Sequence, residues 1–480
     1  MKQFINTTFL MLAILLPASL QASDFWANGL FYNIHGNEVS VAAGASSGIY
    51  SYYGDKSIPE TVTYQGKTYT VTSIEAEAFS DITGALKSIR IPKTITTIGE
   101  DAFRSCALKK VYISDLAAWC RIKFTGYKAN PLHIGCRLYL NDNDNEVTEL
   151  IIPNTITSIG DYAFYCCKSI TSISIPNSVT EIGEYAFLGC YNLTGKLNIP
   201  NSVKYIGYDA FGGTGITDVT VPNSVTHLCG GIRGGAFSHT PWFENQPDGL
   251  VYTGQWAYAY KGILPDNSNV SIKEGTIGIA CKAFYDQWNP QDNNGLTNIN
   301  IPNSVISIGE DAFEYCRGLK TITIPNSVTS IGERAFHECR GLEKVIIGDK
   351  VQFIASEAFG SCYNLTDVTS LAINPPTLEN QSCFPSYKIT LHVPNSSLNS
   401  YKTANYWKDF YKIEAISSNI EEIEIDFSDS KIVQVYNITG KLLYVNQDGI
   451  DINNLKPGYY IICVETQNGL VYKKISMLKY

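Results

Sequence analysis

Residues 324–347 of the 480-residue chain read Ile-Pro-Asn-Ser-Val-Thr-Ser-Ile-Gly-Glu-Arg-Ala-Phe-His-Glu-Cys-Arg-Gly-Leu-Glu-Lys-Val-Ile-Ile. A closely similar string occupies residues 175–198, and its Ala-Phe pair occurs ten times along the chain. The ten phenylalanines are Phe79, Phe103, Phe164, Phe187, Phe211, Phe237, Phe284, Phe313, Phe336 and Phe359. The last three follow one another at intervals of 23 residues. The chain is therefore built on an internal repeat, and each copy is expected to be one structural unit.

One copy of the repeat shows why this unit should fold as the coil of a solenoid. Ile173 and Ile175 alternate with serines, which is the period of a half-buried strand. Gly183 is expected to permit a turn, and the Ala186-Phe187 pair to fill the interior. A period of roughly 20–29 residues with the pattern Leu-x-x-Ile-x-Ile is typical of a leucine-rich solenoid. We predict a mainly β fold: a leucine-rich repeat solenoid of about 23-residue coils with short helical turns, plus a small C-terminal β-sandwich.

The repeat and its interruptions divide the chain into parts. An uninterrupted apolar run near the N-terminus is too short to span a bilayer and suits a cleaved signal. A solenoid also needs a cap at each end. The predicted parts are a signal peptide (1–22), a β-rich N-terminal cap (23–72), the leucine-rich repeat solenoid (73–373) with insertions near 113–147 and 240–265, a C-terminal cap (374–416) and the C-terminal β-sandwich (419–480).

Composition and charge narrow the function. Lys and Arg number 36 against 45 Asp and Glu, and the net charge of -9 argues against a nucleic-acid partner. Hydrophobic residues make up 44% of the chain and charged residues 17%, so the chain can bury a core. No later apolar run approaches the roughly 18 residues of a spanning helix, so we expect no membrane span after signal cleavage.

The 13 cysteines favour buried thiols over disulfides. Six of them lie three residues after a repeat phenylalanine: Cys106, Cys167, Cys190, Cys316, Cys339 and Cys362. Cysteines at one repeat position behave as small hydrophobic residues stacked in the core. A local bridge, for example between Cys120 and Cys136, is the alternative. We recognise neither a Cys-x-x-Cys pair nor a familiar His-Cys spacing, so no metal site is expected.

Residues suited to catalysis are scattered. The six histidines are His35, His133, His227, His239, His337 and His392. None lies in a His-Glu-x-x-His motif, and no Gly-x-Ser-x-Gly occurs. His337 is expected in an exposed loop, and the glycine-rich stretch 230–235 as a flexible junction between coils. We therefore predict that the protein is not an enzyme and has no catalytic, cofactor-binding or metal-binding residues and no cofactor.

Two sets of residues are candidates for ligand binding. The first comprises aromatic residues of the insertions: Trp119, Trp242, Phe243, Tyr252, Trp256 and Tyr258. Trp and Tyr often anchor interfaces, although in an insertion they can equally pack the insertion onto the solenoid. The second set comprises polar residues that flank an inward strand residue: Ser172, Ser174, Thr321 and Thr323. These suit a protein or glycan ligand, but they also simply suit exposed strand positions.

From Trp26 to about Ile416 the chain resembles the BspA-like leucine-rich repeat proteins. Copies of Ile-Pro-Asn-Ser-Val-Thr-Ser-Ile-Gly-x-x-Ala-Phe-x-x-Cys carry this resemblance. It implies a secreted or surface-displayed protein that attaches to host proteins or to other microbes. We therefore expect a non-enzymatic protein that mediates adhesion or protein–protein interaction with host or microbial surfaces. A surface protein that binds glycans or nutrients is the alternative.

The C-terminal segment is similar to the sorting domain of type IX secretion cargo in Bacteroidetes-type bacteria. The residues that match its motifs are Gly440, Lys441, Gly458, Tyr459, Lys473 and Lys474. This resemblance implies that the segment is recognised by the secretion machinery. It also implies that the protein is secreted or displayed on the outer face of the outer membrane of a Gram-negative bacterium. The expected partners are thus an extracellular protein or glycan ligand and the secretion machinery.

Overall fold

The computed structural model describes residues 23–44, 52–80, 84–141, 145–285, 295–386 and 388–416, together with the backbone of four strands after residue 430. The predicted signal peptide lies outside these residues. The described chain is mainly β and forms a solenoid of about 23-residue coils, which confirms the predicted fold class.

The first wall of the solenoid consists of strands of three to six residues that pair in parallel within five successive sheets. They arise because apolar and polar residues alternate, so one side of each strand packs inward. The strands are β4 (Gly54–Ser57), β7 (Leu86–Ile91), β9 (Lys110–Ile113), β11 (Arg137–Leu140), β12 (Glu149–Ile151), β14 (Ser172–Ser174), β16 (Thr194–Leu197), β18 (Gly215–Val219), β22 (Ser268–Ser271), β24 (Leu296–Asn300), β26 (Thr321–Thr323), β28 (Lys344–Ile347), β30 (Asp367–Ser370), β32 (Thr390–Val393) and β33 (Lys412–Ala415).

The second wall is built from two-residue strands, which also pair in parallel. They are β8 (Thr97–Ile98), β10 (Lys123–Phe124), β13 (Ser158–Ile159), β15 (Glu181–Ile182), β17 (Tyr205–Ile206), β19 (His227–Leu228), β23 (Gly278–Ile279), β25 (Ser307–Ile308), β27 (Ser330–Ile331), β29 (Phe353–Ile354) and β31 (Thr377–Leu378). Ile182 lies in register between Ile159 and Ile206, and all three are fully buried. The core therefore lies between the two walls.

The repeat phenylalanines stack inside the coils. The ring centroids of Phe164 and Phe187 are 5.2 Å apart, and those of Phe187 and Phe211 are 5.1 Å apart, with nearly parallel planes. Buried residues form two clusters, one from Phe25 to Ala280 and one from Ala257 to Phe410. The two cores therefore meet at the second insertion.

Gly183 has a different role from the predicted one. Its backbone is not left-handed, but a Cβ there would lie 2.6 Å from the backbone nitrogen of Asp161 in the preceding coil. The glycine thus allows two coils to approach closely. The turns are made instead by left-handed residues on either side of Phe187, namely Tyr185 (φ 57°) and Gly189 (φ 72°).

Thiols of the cysteine column donate hydrogen bonds between coils. The Cys190 thiol donates to the Phe164 carbonyl over 3.0 Å, and the Cys339 thiol donates to the Phe313 carbonyl over 3.1 Å. Burial raises the pKa of both thiols well above the ordinary value. Cys120 and Cys136 carry free thiols, so the structure does not contain the alternative local bridge.

The N-terminal region is a sheet that continues into the second wall. Its strands are β1 (Phe25–Ala27), β2 (Leu30–His35), β3 (Glu38–Ala42), β5 (Thr61–Tyr64) and β6 (Lys67–Ile74). β1, β2 and β3 pair antiparallel, β3 pairs parallel with β6, and β5 and β6 form a hairpin. β6 then pairs with β8, so the sheet covers the first coils.

The C-terminal end of the core is covered by aromatic residues around helix α3 (Leu398–Thr403). The fully buried Trp407 donates its indole N–H to the Pro376 carbonyl over 2.7 Å. The Tyr401 and Ser370 hydroxyls are 2.7 Å apart. Single 3-10 turns occur here and in the first insertion, at Tyr127–Ala129, Pro131–Ile134, Gln381–Cys383, Asn395–Ser397 and Trp407–Asp409.

Each insertion carries a short helix. Helix α1 (Leu116–Cys120) is capped at its N-terminus by Asp115, whose carboxylate accepts a hydrogen bond from the Ala118 N–H over 2.6 Å. In the second insertion, helix α2 (Pro241–Glu244) precedes the antiparallel hairpin of β20 (Gly249–Thr253) and β21 (Trp256–Lys261). β21 pairs with β23, so the hairpin extends the second wall.

The described strands of the C-terminal segment form one antiparallel sheet. They are β34 (Lys431–Asn437), β35 (Leu442–Val445), β36 (Gly458–Thr466) and β37 (Gly469–Met477), in the order β35-β34-β36-β37. The second layer of the predicted sandwich is not among the described residues of this segment.

Candidate functional site

The outward side chains of the first wall are largely polar, and we call those of β14, β16, β18, β24, β26, β28, β30 and β32 the strand face. These strands belong to four separately paired sheets. Ser172 and Ser174 are exposed on either side of the inward Ile173. Thr321 and Thr323 are likewise exposed around a buried isoleucine. The four predicted polar candidates therefore all point to solvent.

Opposite charges are paired on the strand face. The Lys196 ammonium lies 3.1 Å from the Asp218 carboxylate. Farther along, Asp367 lies 3.9 Å from the Lys344 ammonium and 3.1 Å from the His392 imidazole. Because the exposed Lys196–Asp218 pair contributes little to stability, it remains available to a partner.

The aromatic residues of the insertions lie mostly in the core. Trp119, Trp242, Phe243, Trp256 and Tyr258 are each at most 7% exposed. The Trp119 indole donates to the Ala163 carbonyl over 2.8 Å, and the Tyr258 hydroxyl accepts from the Phe237 N–H over 2.8 Å. Their hypothesised role as an exposed binding surface does not hold, because packing the insertions onto the coils removes them from solvent.

Tyr252 is the exception among the predicted aromatic candidates. It is half-buried, and its hydroxyl accepts from the Lys273 N–H over 2.9 Å. This hydrogen bond connects the hairpin to the following segment, so the Tyr252 side chain has a structural role.

A different aromatic group lies on the surface, which we call the tyrosine row: Tyr127, Tyr165, Tyr162 and Tyr185. Tyr162 and Tyr185 stack with centroids 5.0 Å apart, and Tyr162 and Tyr165 are 5.9 Å apart. Tyr127 is 45% exposed and lies 5.7 Å from Tyr165. This row was not predicted from the sequence, although Tyr162 and Tyr185 share the repeat position before Ala-Phe.

Farther along the solenoid, a group of charged residues is largely buried. The Arg334 guanidinium pairs with the Glu314 carboxylate, and the His337 imidazole lies 3.1 Å from the same carboxylate. His337 is only 14% exposed, so the expectation of an exposed loop is wrong. Burial and the neighbouring Glu314 carboxylate raise the pKa of Asp311 to about 7. A pocket of about 450 Å³ opens beside His337 and Glu357.

A second group that sequence analysis missed consists of His227, Cys229 and Cys281. The His227 Nε2 atom lies 3.7 Å from the Cys229 sulfur and 3.6 Å from the Cys281 sulfur. Both cysteines are at most 1% exposed. The hydrogen bond from the Cys229 thiol, together with the imidazole, lowers the pKa of the Cys281 thiol. The only local signal is the His-Leu-Cys order of residues 227–229, because Cys281 lies 54 residues after His227.

The predicted sorting residues are described only in part. Gly458 and Tyr459 lie in β36, and Lys473 and Lys474 lie in the neighbouring β37. Ile462 pairs with Lys473 and Ile461 with Lys474 in this antiparallel ladder. Gly440 and Lys441 lie outside the described residues.

Comparison with known proteins agrees with this architecture. The family model of the BspA type leucine rich repeat region matches residues 49–126, 137–241 and 279–410. The model of the secretion system C-terminal sorting domain matches residues 419–477. A search of the curated proteins finds no match.

Several solved structures are similar to this chain. A leucine rich cell surface protein from Faecalibacterium prausnitzii is 21% identical, with a TM-score of 0.30 over 75% of this chain and 97% of its own. A leucine-rich repeat protein from Bacteroides ovatus is 22% identical, with a TM-score of 0.27 over 82% and 100%. The pneumococcal vaccine antigen PcpA is 18% identical, with a TM-score of 0.30 over 82% and 98%.

The protein consists of stacked coils with two walls of parallel strands and a column of stacked phenylalanines. These features define it as a leucine-rich repeat solenoid. The chain belongs to the family of BspA type leucine rich repeat proteins, because the family model covers more than half of it. Its sorting domain implies interaction with the type IX secretion machinery of Bacteroidetes-type bacteria, and secretion to the cell surface or beyond. Among the described residues, no helix is long and apolar enough to cross a bilayer.

Proposed function

We propose that this protein is a non-enzymatic adhesin that binds an extracellular protein of a host or of another microbe through its strand face. The observation that supports this proposal is the exposure of polar side chains on strands of the first wall such as β14 and β26, whereas five of the insertion aromatic residues are buried in the core. The proposal places the protein on the outer face of the outer membrane of a Gram-negative bacterium, where such a ligand is accessible.

The geometry of the strand face suits a broad protein partner. Parallel strands lie about 4.8 Å apart, so each added coil extends the face by a fixed step. The short hydroxyl side chain of Thr321 lies in register with the charged Lys344 of the next strand, and Thr323 lies in register with Ile346. Protein interfaces are commonly polar at the rim and of the order of 800 Å² per partner, which several coils together supply.

A binding role also agrees with where the nucleophilic groups lie. Among the described residues, His227 lies next to the sulfurs of Cys229 and Cys281. Both cysteines are buried, so a substrate in solution could not reach them. The remaining histidines contact carboxylates, a hydroxyl or a backbone carbonyl, as His392 contacts Asp367 and His133 contacts the Asn130 carbonyl.

A second candidate function is glycan binding, and the tyrosine row favours it. Aromatic rings in line on a surface can stack against sugar rings, and Tyr127 is substantially exposed. The row is short and its inner rings are half-buried, which makes it a smaller surface than the strand face.

Binding assays with surface variants distinguish the two functions. The full chain should be tested against host matrix proteins, microbial surface proteins and a glycan array. Thr321→Arg with Thr323→Arg places two long cations on the strand face and should weaken protein binding at least tenfold, as expected for an interface core. Thr157→Arg, at an exposed position beside the second wall, is the matched control.

The double variant Tyr162→Ala with Tyr165→Ala tests the glycan alternative. Its control is Tyr191→Ala, because Tyr191 is an exposed tyrosine outside the tyrosine row. Loss of glycan binding in the double tyrosine variant alone would replace the protein-adhesion proposal with glycan capture. Retention of every ligand by the strand-face variant would contradict the proposed role of that face.

A further inference from the structure

We propose that His227, Cys229 and Cys281 form a binding site for a thiophilic divalent metal ion, Zn²⁺ in the first place, with water at the fourth position. The ligand atoms of these residues all lie within 4.8 Å of one another. Nothing in the adhesive function requires this site, so it is a separate property of the protein.

The separations of the His227 imidazole nitrogen from the two sulfurs fit a tetrahedral zinc ion. With Zn–S about 2.3 Å and Zn–N about 2.0–2.1 Å, a tetrahedral angle places sulfur and nitrogen about 3.6 Å apart. The observed distances from His227 Nε2 are 3.6 Å to the Cys281 sulfur and 3.7 Å to the Cys229 sulfur. One imidazole nitrogen therefore lies almost equally far from two thiols, as around a shared ion.

The two cysteines depart from the repeat at the positions they occupy. His227 stands at a position that varies between coils, where Ser158, Glu181 and Tyr205 also occur. Cys229 replaces the glycine of close approach, and Cys281 replaces the acidic residue that Glu310 represents in the next coil. Neither cysteine belongs to the column that follows the phenylalanines. The repeat pattern thus does not account for a cysteine at either position, whereas metal coordination would use both.

The surroundings hold the ligands in place and favour a cation. The ring of Tyr205 stacks on His227 with centroids 4.7 Å apart and planes 9° apart, which fixes the imidazole. The carboxylates of Glu184 and Glu310 act electrostatically on both His227 and Cys229. The nearby cation of Lys282 is directed to Asp311, 3.7 Å away, and to the ring of Tyr208. Two thiolates would neutralise the charge of a divalent ion.

The position in the solenoid suggests what the ion would stabilise. Cys229 and Cys281 pair as a parallel bridge, although the whole second insertion separates them in sequence. The two hydrophobic cores also meet here, since one ends at Ala280 and the other begins at Ala257. A bound ion would join the coils on both sides of the insertion and add its binding free energy to the stability of the fold.

A disulfide between Cys229 and Cys281 is the competing chemistry, because adjacent cysteines in an exported protein can be oxidised. A disulfide would consume both thiols and leave the imidazole without a role. The nearly equal distances from the imidazole to both sulfurs favour the ion, which uses all three groups.

Metal titration of the full chain in reducing buffer, after removal of metal by a chelator, tests the proposal. Co²⁺ should produce the thiolate charge-transfer band and strong visible bands of a tetrahedral site, and Zn²⁺ should displace it. His227→Ala and Cys229→Ser should each weaken Zn²⁺ binding at least about 100-fold. His239→Ala, an exposed histidine, and Cys166→Ser, a half-exposed thiol, should leave it unchanged.

Thermal unfolding of the unmodified chain gives a second measurement in case a variant fails to fold. Zn²⁺ should raise its Tm above that measured with chelator. The proposal is overturned by an unchanged Tm together with no tetrahedral Co²⁺ spectrum, by undiminished Zn²⁺ affinity in a folded His227→Ala chain, or by mass spectrometry that finds Cys229 joined to Cys281 in protein from the producing cell.

Discussion

A cysteine in this repeat does more than fill space, because its thiol donates to the phenylalanine carbonyl of the preceding coil. The Cys190–Phe164 and Cys362–Phe336 contacts, at 3.0 and 3.1 Å, repeat the same geometry in different coils. Alanine or valine at this position would leave the carbonyl without that partner. The column is therefore both apolar packing and a series of weak hydrogen bonds.

Burial of these thiols predicts selective alkylation. In the native protein, Cys190 and Cys339 should react slowly with iodoacetamide, because burial shields them and raises their pKa. Cys166, which is half-exposed, should react first. Peptide mass spectrometry of briefly labelled protein measures the order. Mostly disulfide-bonded column cysteines, or equal labelling of all three thiols, would contradict the prediction.

Asp311 predicts a pH dependence of stability. Its pKa is about 7 in the folded protein, through burial and the Glu314 carboxylate, with a smaller effect of Glu310 opposed by Lys282 and Arg334. In the unfolded chain the pKa is about 3.9. The folded state therefore holds a proton that the unfolded state releases, and this contribution to stability is lost as pH rises from about 4 to about 7.

Asp311→Asn should remove that dependence. Asparagine keeps the shape and tolerates the left-handed backbone at this residue (φ 52°). The variant should lose less stability than the unmodified protein between about pH 5 and about pH 8, by a difference on the order of 2 kcal/mol. Urea unfolding at both pH values measures it, with the exposed Asp218→Asn as control. Identical pH profiles for Asp311→Asn and the unmodified chain would show that Asp311 is not the titrating group.

At the scale of the coil, the stacked ring of Phe187 should carry much of the stability. Phe187→Ala removes a fully buried ring that stacks on two neighbours and should cost roughly 3–5 kcal/mol. Because each coil contacts mainly its neighbours, hydrogen exchange should increase most in the adjacent coils. Tyr191→Ala, an exposed ring in the same coil, should leave the thermal melt unchanged. A melt of Phe187→Ala that matches the parent would refute the structural role.

The close approach at Gly183 makes a separate prediction. A methyl group there would lie 2.6 Å from the Asp161 nitrogen, so Gly183→Ala should force two coils apart. We expect a loss of roughly 1–3 kcal/mol in chemical unfolding, the usual cost of overpacking. Gly195→Ala, where a Cβ has open space but the backbone is left-handed, should cost less. A neutral Gly183→Ala would mean that the coils can separate without penalty.

The repeat period made the structure of the coil predictable from the sequence. The structural roles of residues outside the repeat were not predictable in this way. The position of Phe187 recurs every coil, so its burial followed from the pattern alone. Trp119 occurs once, and sequence could not decide between an exposed ring and one bonded to the Ala163 carbonyl. Gly183 was predicted to permit a turn. The sequence shows that a side chain is missing there, but it does not show whether the glycine is needed for a left-handed backbone or for the close approach of a neighbouring coil.

The missed groups depend on distances that only stacking creates. His227 and Cys281 are 54 residues apart in sequence and 3.6 Å apart in space. His337 stood at a variable repeat position, yet its neighbours Glu314 and Glu357 come from the coils on either side. Contacts between residues of neighbouring coils can be predicted only when the register of the coils is known.

At the scale of the whole molecule, the sorting domain should determine where the solenoid goes. Deletion of residues 419–480 should leave the repeat folded but abolish its appearance outside the cell, because the deleted segment is what the secretion machinery recognises. Surface labelling and fractionation of the producing bacterium, with circular dichroism of the purified truncated chain, measure both effects. Lys473→Ala with Lys474→Ala is a milder variant in β37. Display of the truncated protein equal to that of the intact one would contradict the sorting role.

The stacked coils also determine how the molecule responds to pulling. A terminal coil is held by one neighbour, through contacts such as the Phe359–Phe384 stack, whereas an inner coil is held by two. Under tension along the stack, coils should therefore peel from the ends one after another, each at a modest force. The chain then lengthens stepwise and dissipates work, as an extensible tether does, where a single cooperative domain would hold and then rupture at once.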